Sequence, residues 1–153
     1  MKKYKKIILI TLLVLFFDLI SKVIITHIML PNTSVSLLGN FFKLTLVHNY
    51  GAAWSILTNK VIFLILISIF ALIILLYMIK KEKKLTIINN LYYGLIIGGI
   101  LGNLSNRLFL GYVIDFLDFN IFGYDFPIFN LADSAIVISI ILMIVEILKS
   151  KEN

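Results

Sequence analysis

Two aspartates, Asp115 and Asp133, are the side chains of this sequence with the clearest capacity for chemistry. They belong to the stretch 114–134, which holds four of the chain's eight acidic residues among aromatic and aliphatic neighbours. Two carboxyl groups brought together near an apolar boundary cannot both ionise easily, so they share a proton. One can then activate a water molecule as a base while the other protonates a leaving amine. This is aspartyl protease chemistry, and it needs neither a metal nor a nucleophilic side chain.

Three of the four acidic residues of this stretch also have a simpler structural explanation. The segment NLADS is typical of a helix start, where Asp133 would be a capping or first-turn acid stabilised by the helix dipole. Asp118 and Asp125 are expected to be solvated loop charges. The connection between Asp115 and Asp133 permits the two carboxyl groups to meet but does not require it. The residues alone therefore leave the pairing open.

Other catalytic and metal-binding patterns do not occur in the sequence. There is no cysteine, which excludes disulfides, zinc–thiolate sites and cysteine nucleophiles. The only histidines, His27 and His48, belong to no H-E-x-x-H motif, and the sequence contains neither G-x-S-x-G nor a glycine-rich phosphate loop. We expect His48 to be a surface loop residue, and we expect neither a metal nor a cofactor.

The composition indicates a membrane protein. Hydrophobic residues make up 61% of the chain, charged residues 14%, and the mean hydropathy is +1.05, whereas soluble domains are roughly 45–50% apolar. A helix needs about 20 apolar residues to cross a bilayer. Four apolar runs fit this requirement, at about 7–28, 61–79, 85–104 and 131–148. Because no Pro-, Ser- or Gly-rich linker divides them, they predict one all-α membrane domain spanning 1–153.

The lysines predict how the four helices are oriented. Ten of the fourteen basic residues flank one side of the membrane, which the positive-inside rule assigns to the cytoplasm. Both termini are therefore expected in the cytoplasm, with 29–60 and 105–130 outside it. The net charge of +6 is then a topology signal and not a nucleic-acid footprint. Within the first outer connector, 32–50 contains a Gly-Asn turn and a β-prone run, which predict a small β-like element.

Several polar residues lie within or beside the spans, where each is costly to bury. Asp18 and Lys22 share a helix face and form a structural ion pair, a proton relay or a substrate contact. The small residues of 51–53 allow another backbone to approach closely. Arg107, the single arginine, can anchor to lipid phosphate or hold a carboxylate or carbonyl in its fork.

Five short blocks of the sequence resemble those of one family, the bacterial lipoprotein signal peptidases, also called signal peptidase II. In chain order they are Asp18 to Lys22, NYGAAWS at 49–55, GNLSNR at 102–107, VIDF at 113–116 and FNLADS at 129–134. Each block alone is a weak signal, but their order on four spans is specific. Members of this family are membrane aspartyl endopeptidases that remove the signal peptide from prolipoproteins, cutting before a cysteine that carries diacylglycerol.

The resemblance implies a role for individual residues. It implies that Asp115 and Asp133 are the catalytic pair and that Asp18 and Lys22 give structural support. It implies substrate-binding residues at Asn49, Gly51, Asn103, Arg107, Asn130 and Ala132. It further implies an enzyme of the bacterial cytoplasmic membrane, with an extracytoplasmic active site and diacylglyceryl-prolipoprotein substrates. We expect contacts with membrane lipid, none with nucleic acid, and activity as a monomer.

Two positions depart from the family's pattern. Asn106 stands where the family usually has aspartate, and Leu19 stands where glutamine is common. An amide keeps hydrogen-bonding capacity but carries no charge, so Asn106 cannot form an ion pair with Arg107. Neither position belongs to the expected catalytic pair, and we therefore expect an active enzyme.

Two other classes of function remain open from the residues. A transport or proton-conducting protein would use Asp18, Lys22 and Asp133 as relay groups, although such proteins more often carry inverted repeats or broken helices. A membrane adaptor would bind a partner through its outer loop. A relay spreads polar groups through the bilayer, whereas most of those in this sequence cluster at its outer boundary.

Overall fold

The computed structural model describes residues 2–52 and 56–151 of the chain. Within these ranges a short 3-10 helix, Lys2–Tyr4, precedes four α-helices and four β-strands. The helices are α1 (Lys5–Ile28), α2 (Val61–Lys81), α3 (Ile87–Leu110) and α4 (Leu131–Lys151). The strands are β1 (Ser34–Leu38), β2 (Phe42–Asn49), β3 (Val113–Ile121) and β4 (Tyr124–Asp125). The predicted four helices and small β element are confirmed.

All four helices are long and apolar enough to cross a membrane. α1, α2 and α4 bury 22% or less of their most apolar segments, and large side chains such as Phe70 of α2 point outward, 64% exposed. Such a surface is unfavourable in water and suited to lipid. The chain is therefore a multi-pass membrane protein.

α3 is the central helix of the bundle, with 61% of its apolar segment buried against α1, α2 and α4. Small residues allow the helices to approach closely, because a Cβ atom at Gly99 would lie only 2.5 Å from the carbonyl oxygen of Ala132 in α4. In the same interface, nearer the start of α3, the Ser139 hydroxyl donates to the Tyr92 carbonyl at 2.8 Å. These contacts fix α4 against α3.

α3 begins and ends at local sequence signals. Thr86 and Asn89 form a capping box at its start, and Gly111 ends it in the left-handed conformation, with φ of +82°. The predicted span 85–104 is too short at its C-terminal end, because the helix continues to Leu110. Arg107 therefore lies on α3 and not in the loop that follows it. The polar residues near this end are bonded to other parts of the protein, so they do not end the helix.

The strands form an antiparallel sheet in the order β1-β2-β3-β4. The sheet is larger than the sequence predicted, because β3 and β4 come from the second outer connector, which was expected to be loop. Asp118 lies in β3, is half-buried and accepts a hydrogen bond from the Thr45 hydroxyl at 2.5 Å, so the expected solvated loop charge is wrong. Asp125 is exposed but lies in β4. His48 lies in β2, where its ring stacks on Tyr112.

An apolar cluster attaches the sheet to the end of α1. Ile25 and Met29 from the end of α1 pack with Ile114 and Phe116 of β3, and Leu46 of β2 completes the cluster. Because side chains alternate between the two faces of a strand, the residue between Ile114 and Phe116 points to the opposite face. That residue is Asp115.

Candidate active site

A β-hairpin returns the chain to Asp115 before α4 begins. Phe122 and Gly123 form its tight turn, with positive φ angles of 51° and 88°. Beyond β4, Phe129 bridges to Leu117: the Phe129 N–H donates to the Leu117 carbonyl at 3.1 Å, and the Leu117 N–H donates to the Phe129 carbonyl at 2.8 Å. This pairing brings the start of α4 beside Asp115.

Asn130 and Asp133 bond each other across the first turn of α4. The Asp133 N–H donates to Asn130 Oδ1 at 2.9 Å, and the Asn130 N–H donates to Asp133 Oδ2 at 3.2 Å. The predicted helix start at NLADS is confirmed, with Asp133 in its first turn. This reciprocal cap leaves Asp133 Oδ1 and the Asn130 side-chain nitrogen directed toward other partners.

The carboxyl group of Asp115 accepts hydrogen bonds from two amide side chains. Asn130 Nδ2 donates to its Oδ1 at 2.6 Å, and Asn49 Nδ2 donates to its Oδ2 at 2.9 Å. Asp115 is only 3% exposed. Since Asn130 also caps the helix with Asp133, a single asparagine connects the two acids, which are called the aspartate pair below.

Asn103 supports the aspartate pair from α3. Its Nδ2 donates to Asp133 Oδ1 at 2.7 Å, and its Oδ1 accepts from Asn130 Nδ2 at 3.1 Å and from Lys22 Nζ at 3.0 Å. Both the nitrogen and the oxygen of the Asn103 amide thus take part in hydrogen bonds. Asn103 therefore connects α3, on which it lies, to Asp133 of α4 and to Lys22 of α1.

Asp18 and Lys22 form a buried ion pair on α1, with Lys22 Nζ 2.8 Å from Asp18 Oδ2 and both side chains 2% or less exposed. The other carboxylate oxygen of Asp18 accepts a hydrogen bond from the Ala132 N–H at 2.9 Å. Asp18 therefore caps α4 from a neighbouring helix. Ala132 is fully buried in this contact.

Arg107 holds the segment that follows β2. Its Nη2 donates to the Gly51 carbonyl at 2.9 Å, and the Gly51 N–H donates to Asn49 Oδ1 at 2.9 Å. Asn49 in turn bonds Asp115, so the guanidinium group supports the aspartate pair through this segment. Residues 53–55, the end of the NYGAAWS block, lie outside the described residues.

A cavity of about 650 Å³ opens against the aspartate pair, a size common for ligand sites. Its polar lining is formed by Asn49, Asn103, Arg107, Asp115 and Asp133, together with Ser68 and Ser134. Apolar side chains from α3, α4 and the segment before α4 form much of the remaining wall: Ile100, Ile136, Val137, Ile138, Phe126, Ile128 and Phe129. The cavity can accept a ligand that is polar at one end and apolar along its length.

Burial, and after it the nearby charge of Asp133, raise the pKa of Asp115 from its ordinary value of 3.8 to about 7. Hydrogen bonds from Asn49 and Asn130 and the positive charge of Lys22 act in the opposite direction. Asp115 can therefore hold a proton near neutral pH. An acid and a base can then face the same cavity, which is the arrangement that aspartyl chemistry requires.

One hydrogen-bonded network contains the residues that the resemblance assigned to the site, with Gly51 and Ala132 taking part through backbone groups. The sequence reasoning missed the cavity wall formed by Phe126 and Phe129, and it missed the bond in which Asn106 Oδ1 accepts the Ile114 N–H at 3.2 Å. The apolar FPIF segment directly before NLADS was an available signal for the first. Within residues 2–52 and 56–151, no three His, Cys, Asp or Glu side chains lie close enough together to hold a metal ion.

Comparison with known proteins places this chain among characterised families. A family profile described as Signal peptidase (SPase) II matches residues 10–149. A lipoprotein signal peptidase from Staphylococcus aureus strain JH9 is 42% identical over 146 residues, which cover 95% of this chain and 90% of the relative. The protein from strain Newman matches equally well.

Two solved structures share the fold. A bacterial membrane enzyme determined by the in meso method at 2.3 Å resolution has a TM-score of 0.90 and 41% identity, covering 97% of this chain and 92% of that one. A second, at 1.9 Å resolution, has a TM-score of 0.87 and 42% identity, covering 96% of each chain. The expectations of the family, of a protease and of a lipoprotein signal peptidase are confirmed, and the chain belongs to the signal peptidase II family, the aspartyl peptidases that cleave the signal peptides of prolipoproteins.

Proposed function

We propose that this chain cuts diacylglyceryl-modified prolipoproteins directly before the lipidated cysteine, with Asp115 and Asp133 as the catalytic pair. The observation that carries the proposal is that Asn130 bonds both aspartates while both line the same cavity. Membership of the signal peptidase II family supplies the reaction class. The local geometry supports the choice of these two carboxyl groups among the acidic residues.

In the proposed reaction, the aspartate pair holds a water molecule and shares one proton. The ionised carboxylate removes a proton from the water, whose oxygen attacks the carbonyl carbon of the scissile peptide. The protonated carboxyl group donates its proton to the carbonyl oxygen. When the tetrahedral intermediate collapses, the C–N bond breaks, the leaving amine takes up a proton from the protonated carboxyl group, and a hydroxyl of the intermediate returns its proton to the ionised carboxylate. The two products are a carboxylic acid and a free amine, and the pair again holds one proton.

The substrate would be held by the polar lining and the apolar wall together. Asn49, Asn103 and Arg107 line the cavity and would position the substrate's peptide carbonyls, while the buried Asn130 would act through the two aspartates that it bonds. Gly51 and Ala132 would act through their backbones, since Gly51 is bonded to Arg107 and Ala132 to Asp18. The apolar wall would accept the diacylglyceryl chains and the signal helix, which are both poorly soluble in water.

The proposed setting is the bacterial cytoplasmic membrane, with one monomeric membrane domain and both termini in the cytoplasm. The lysines around the ends of α1, α2 and α4 support this orientation through the positive-inside rule. The aspartate pair lies near the C-terminal end of α3 and the N-terminal end of α4, on the side of the bundle away from these lysines. The pair would thus open to the extracytoplasmic face. Lipid-modified substrates could then reach the cavity from the outer leaflet.

The direct test is cleavage of a diacylglyceryl-modified prolipoprotein by the purified chain in lipid. We expect Asp115→Asn and Asp133→Asn each to lower the rate by at least about 1,000-fold, because either change removes the acid or the base. Asp118→Asn is the matched control on the same strand and should cleave at nearly the wild-type rate. A peptide without the lipid should be cut poorly. Wild-type cleavage by either pair variant would show that the aspartates are wrongly assigned.

The orientation can be tested separately, because the chain has no cysteine of its own. Single cysteines at Lys83, between α2 and α3, and at Ser36, in β1, should react differently with a membrane-impermeant maleimide on intact cells. We expect labelling at Ser36→Cys and none at Lys83→Cys until the cells are lysed. The reverse pattern would invert the proposed topology while leaving the catalytic assignment untouched.

A further inference from the structure

Lys22 lies behind the aspartate pair, connected to Asp133 through a single amide, that of Asn103. We infer that Lys22 is a positioning residue for the aspartate pair, whose ammonium group orients the Asn103 amide and supplies a positive charge that helps to set the pH range in which the pair holds one proton. The inference deepens the proposed function and rests on the proposed roles of Asp115 and Asp133. It goes beyond structural support, because it assigns Lys22 an effect on proton affinity.

The orientation of Asn103 follows from the chemistry of an ammonium group. An ammonium group only donates hydrogen bonds, so the atom of Asn103 that lies 3.0 Å from Lys22 Nζ must be the carbonyl oxygen. The same oxygen accepts from Asn130 Nδ2 at 3.1 Å. The amide nitrogen is then directed to Asp133 Oδ1, 2.7 Å away. A flipped amide would set N–H groups against the ammonium and an oxygen against a carboxylate.

The charge of Lys22 acts over a short and poorly screened path. The ammonium group is almost completely buried, so water does little to weaken its field. Its field lowers the pKa of Asp115 against the larger effect of burial. The other charges that face this site are Asp18 on α1, which offsets part of the Lys22 charge, and Arg107 on α3, whose charge also acts on both aspartates.

The test separates charge from hydrogen bonding by substitution at Lys22. Lys22→Gln keeps a donor toward Asn103 but removes the charge, whereas Lys22→Met removes both and Lys22→Arg retains both. We expect Lys22→Gln to move the pH dependence of kcat/KM upward by about one unit. Lys22→Met should show the same shift and also a kcat lowered by about 100-fold at unchanged KM, because the Asn103 oxygen loses the ammonium donor and keeps only the bond from Asn130. Lys22→Arg should keep the wild-type pH profile and kcat.

The partner residue gives a test of opposite sign. Asp18→Asn keeps an oxygen that can accept the Ala132 N–H but leaves the Lys22 charge uncompensated. We expect the profile of kcat/KM against pH to move to lower pH in this variant. Thr11→Val is the control on the same helix, since Thr11 is buried and bonds the Gly94 carbonyl far from the aspartates. It should lower stability slightly and leave the profile unchanged.

A second readout does not depend on cleavage. Titration of ¹³C-labelled aspartate carboxyl groups by NMR, in lipid and without substrate, should show the same upward shift in Lys22→Gln and downward shift in Asp18→Asn. Wild-type titration curves in both folded variants would overturn the inference. If the Lys22 variants do not fold, Asp18→Asn alone decides by its sign. Failure of the wild type to cleave lipidated peptide would refute the proposed function, while the carboxyl titration would still judge the role of Lys22.

Discussion

Asn130 Nδ2 lies 2.6 Å from Asp115 Oδ1, which joins the first residue before α4 to the third residue of β3. The same asparagine exchanges two hydrogen bonds with Asp133 in the first turn of α4. One side chain therefore determines how the aspartate of the sheet faces the aspartate of the helix. Several consequences of this arrangement can be measured.

Replacing Asn130 by alanine should disable the site. Asn130 is fully buried, and its loss removes the hydrogen bond to Asp115 Oδ1 and the one that caps the Asp133 N–H, so Asp115 keeps only the bond from Asn49. We expect kcat/KM to fall by about 100-fold and the free energy of unfolding to fall by about 1–3 kcal/mol. Cleavage kinetics and thermal unfolding in detergent would measure the two effects. Asn120→Ala, in the β3–β4 hairpin, serves as the control and should retain most of its activity.

Activity should decline as the pH rises through about 7. Asp115 has a pKa of about 7 in the folded chain against an ordinary value of 3.8, so the folded state binds this proton more tightly than the unfolded state. Its contribution to stability is complete below the ordinary value and is lost as the pH rises through the folded value. The shared proton that the reaction needs is lost over the same upper range.

The Asn49 variant tests the cause of that pKa. The hydrogen bond from Asn49 lowers the pKa of Asp115, so Asn49→Ala should move the alkaline limb of the rate profile to higher pH. Rate measurements between pH 5 and 9 would detect the change, with Asp125→Asn as an exposed control. An alkaline limb that moved to lower pH would contradict the assigned role of Asn49.

Asn106→Asp should shift the pH–rate profile to higher pH without unfolding the chain. Asn106 is buried, and its side-chain oxygen accepts the N–H of Ile114, the residue before Asp115. A carboxylate can accept the same bond but adds a negative charge close to the aspartate pair, which favours protonation. Asn106→Leu removes the bond and should lower kcat by about tenfold. An identical profile for Asn106→Asp and wild type would show that this charge does not reach the pair.

Arg107→Lys should weaken the enzyme even though the positive charge is kept. The guanidinium group donates to the Gly51 carbonyl at 2.9 Å, and a lysine ammonium lacks the planar fork that holds such a contact. The segment that carries Asn49 would loosen, and we expect kcat/KM to fall by about tenfold. Lys60→Ala, an exposed cation before α2, is the matched control. Equal kinetics for Arg107→Lys and wild type would argue that charge alone matters.

Gly102→Ala should disturb the site through packing alone. A Cβ atom at Gly102 would clash with Asp18 Oδ2 and approach the Ala132 side chain to 3.3 Å. The carboxylate would have to leave Lys22 or the Ala132 N–H, so we expect a loss of about 2–4 kcal/mol in unfolding free energy and little residual cleavage. Leu108→Ala, on the lipid-facing side of α3, should be nearly neutral. Unchanged stability of the glycine variant would mean that Asp18 can move without cost.

The sequence by itself predicted a multi-pass membrane protein with four helices, and its resemblance to one family predicted the aspartate pair. Long apolar runs and flanking lysines are local signals, and the blocks around Asp115 and Asp133 were specific enough to predict the family. The aromatic and β-branched residues of 113–121 were also visible in the sequence, but the segment was assigned to a loop and Asp118 was interpreted as a loop charge.

Only the tertiary structure decided how the site is assembled. The hairpin turn at Phe122 and Gly123 reverses the chain so that Leu117 and Phe129 form a bridge. The contact of Lys22 with Asn103 joins two helices that are far apart in the chain. Hydropathy and spacing carry no information on such pairings, because each depends on the register of one element against another. The proton affinity of Asp115 depends on the same contacts, since burial and neighbouring charges set it and the aspartate alone does not.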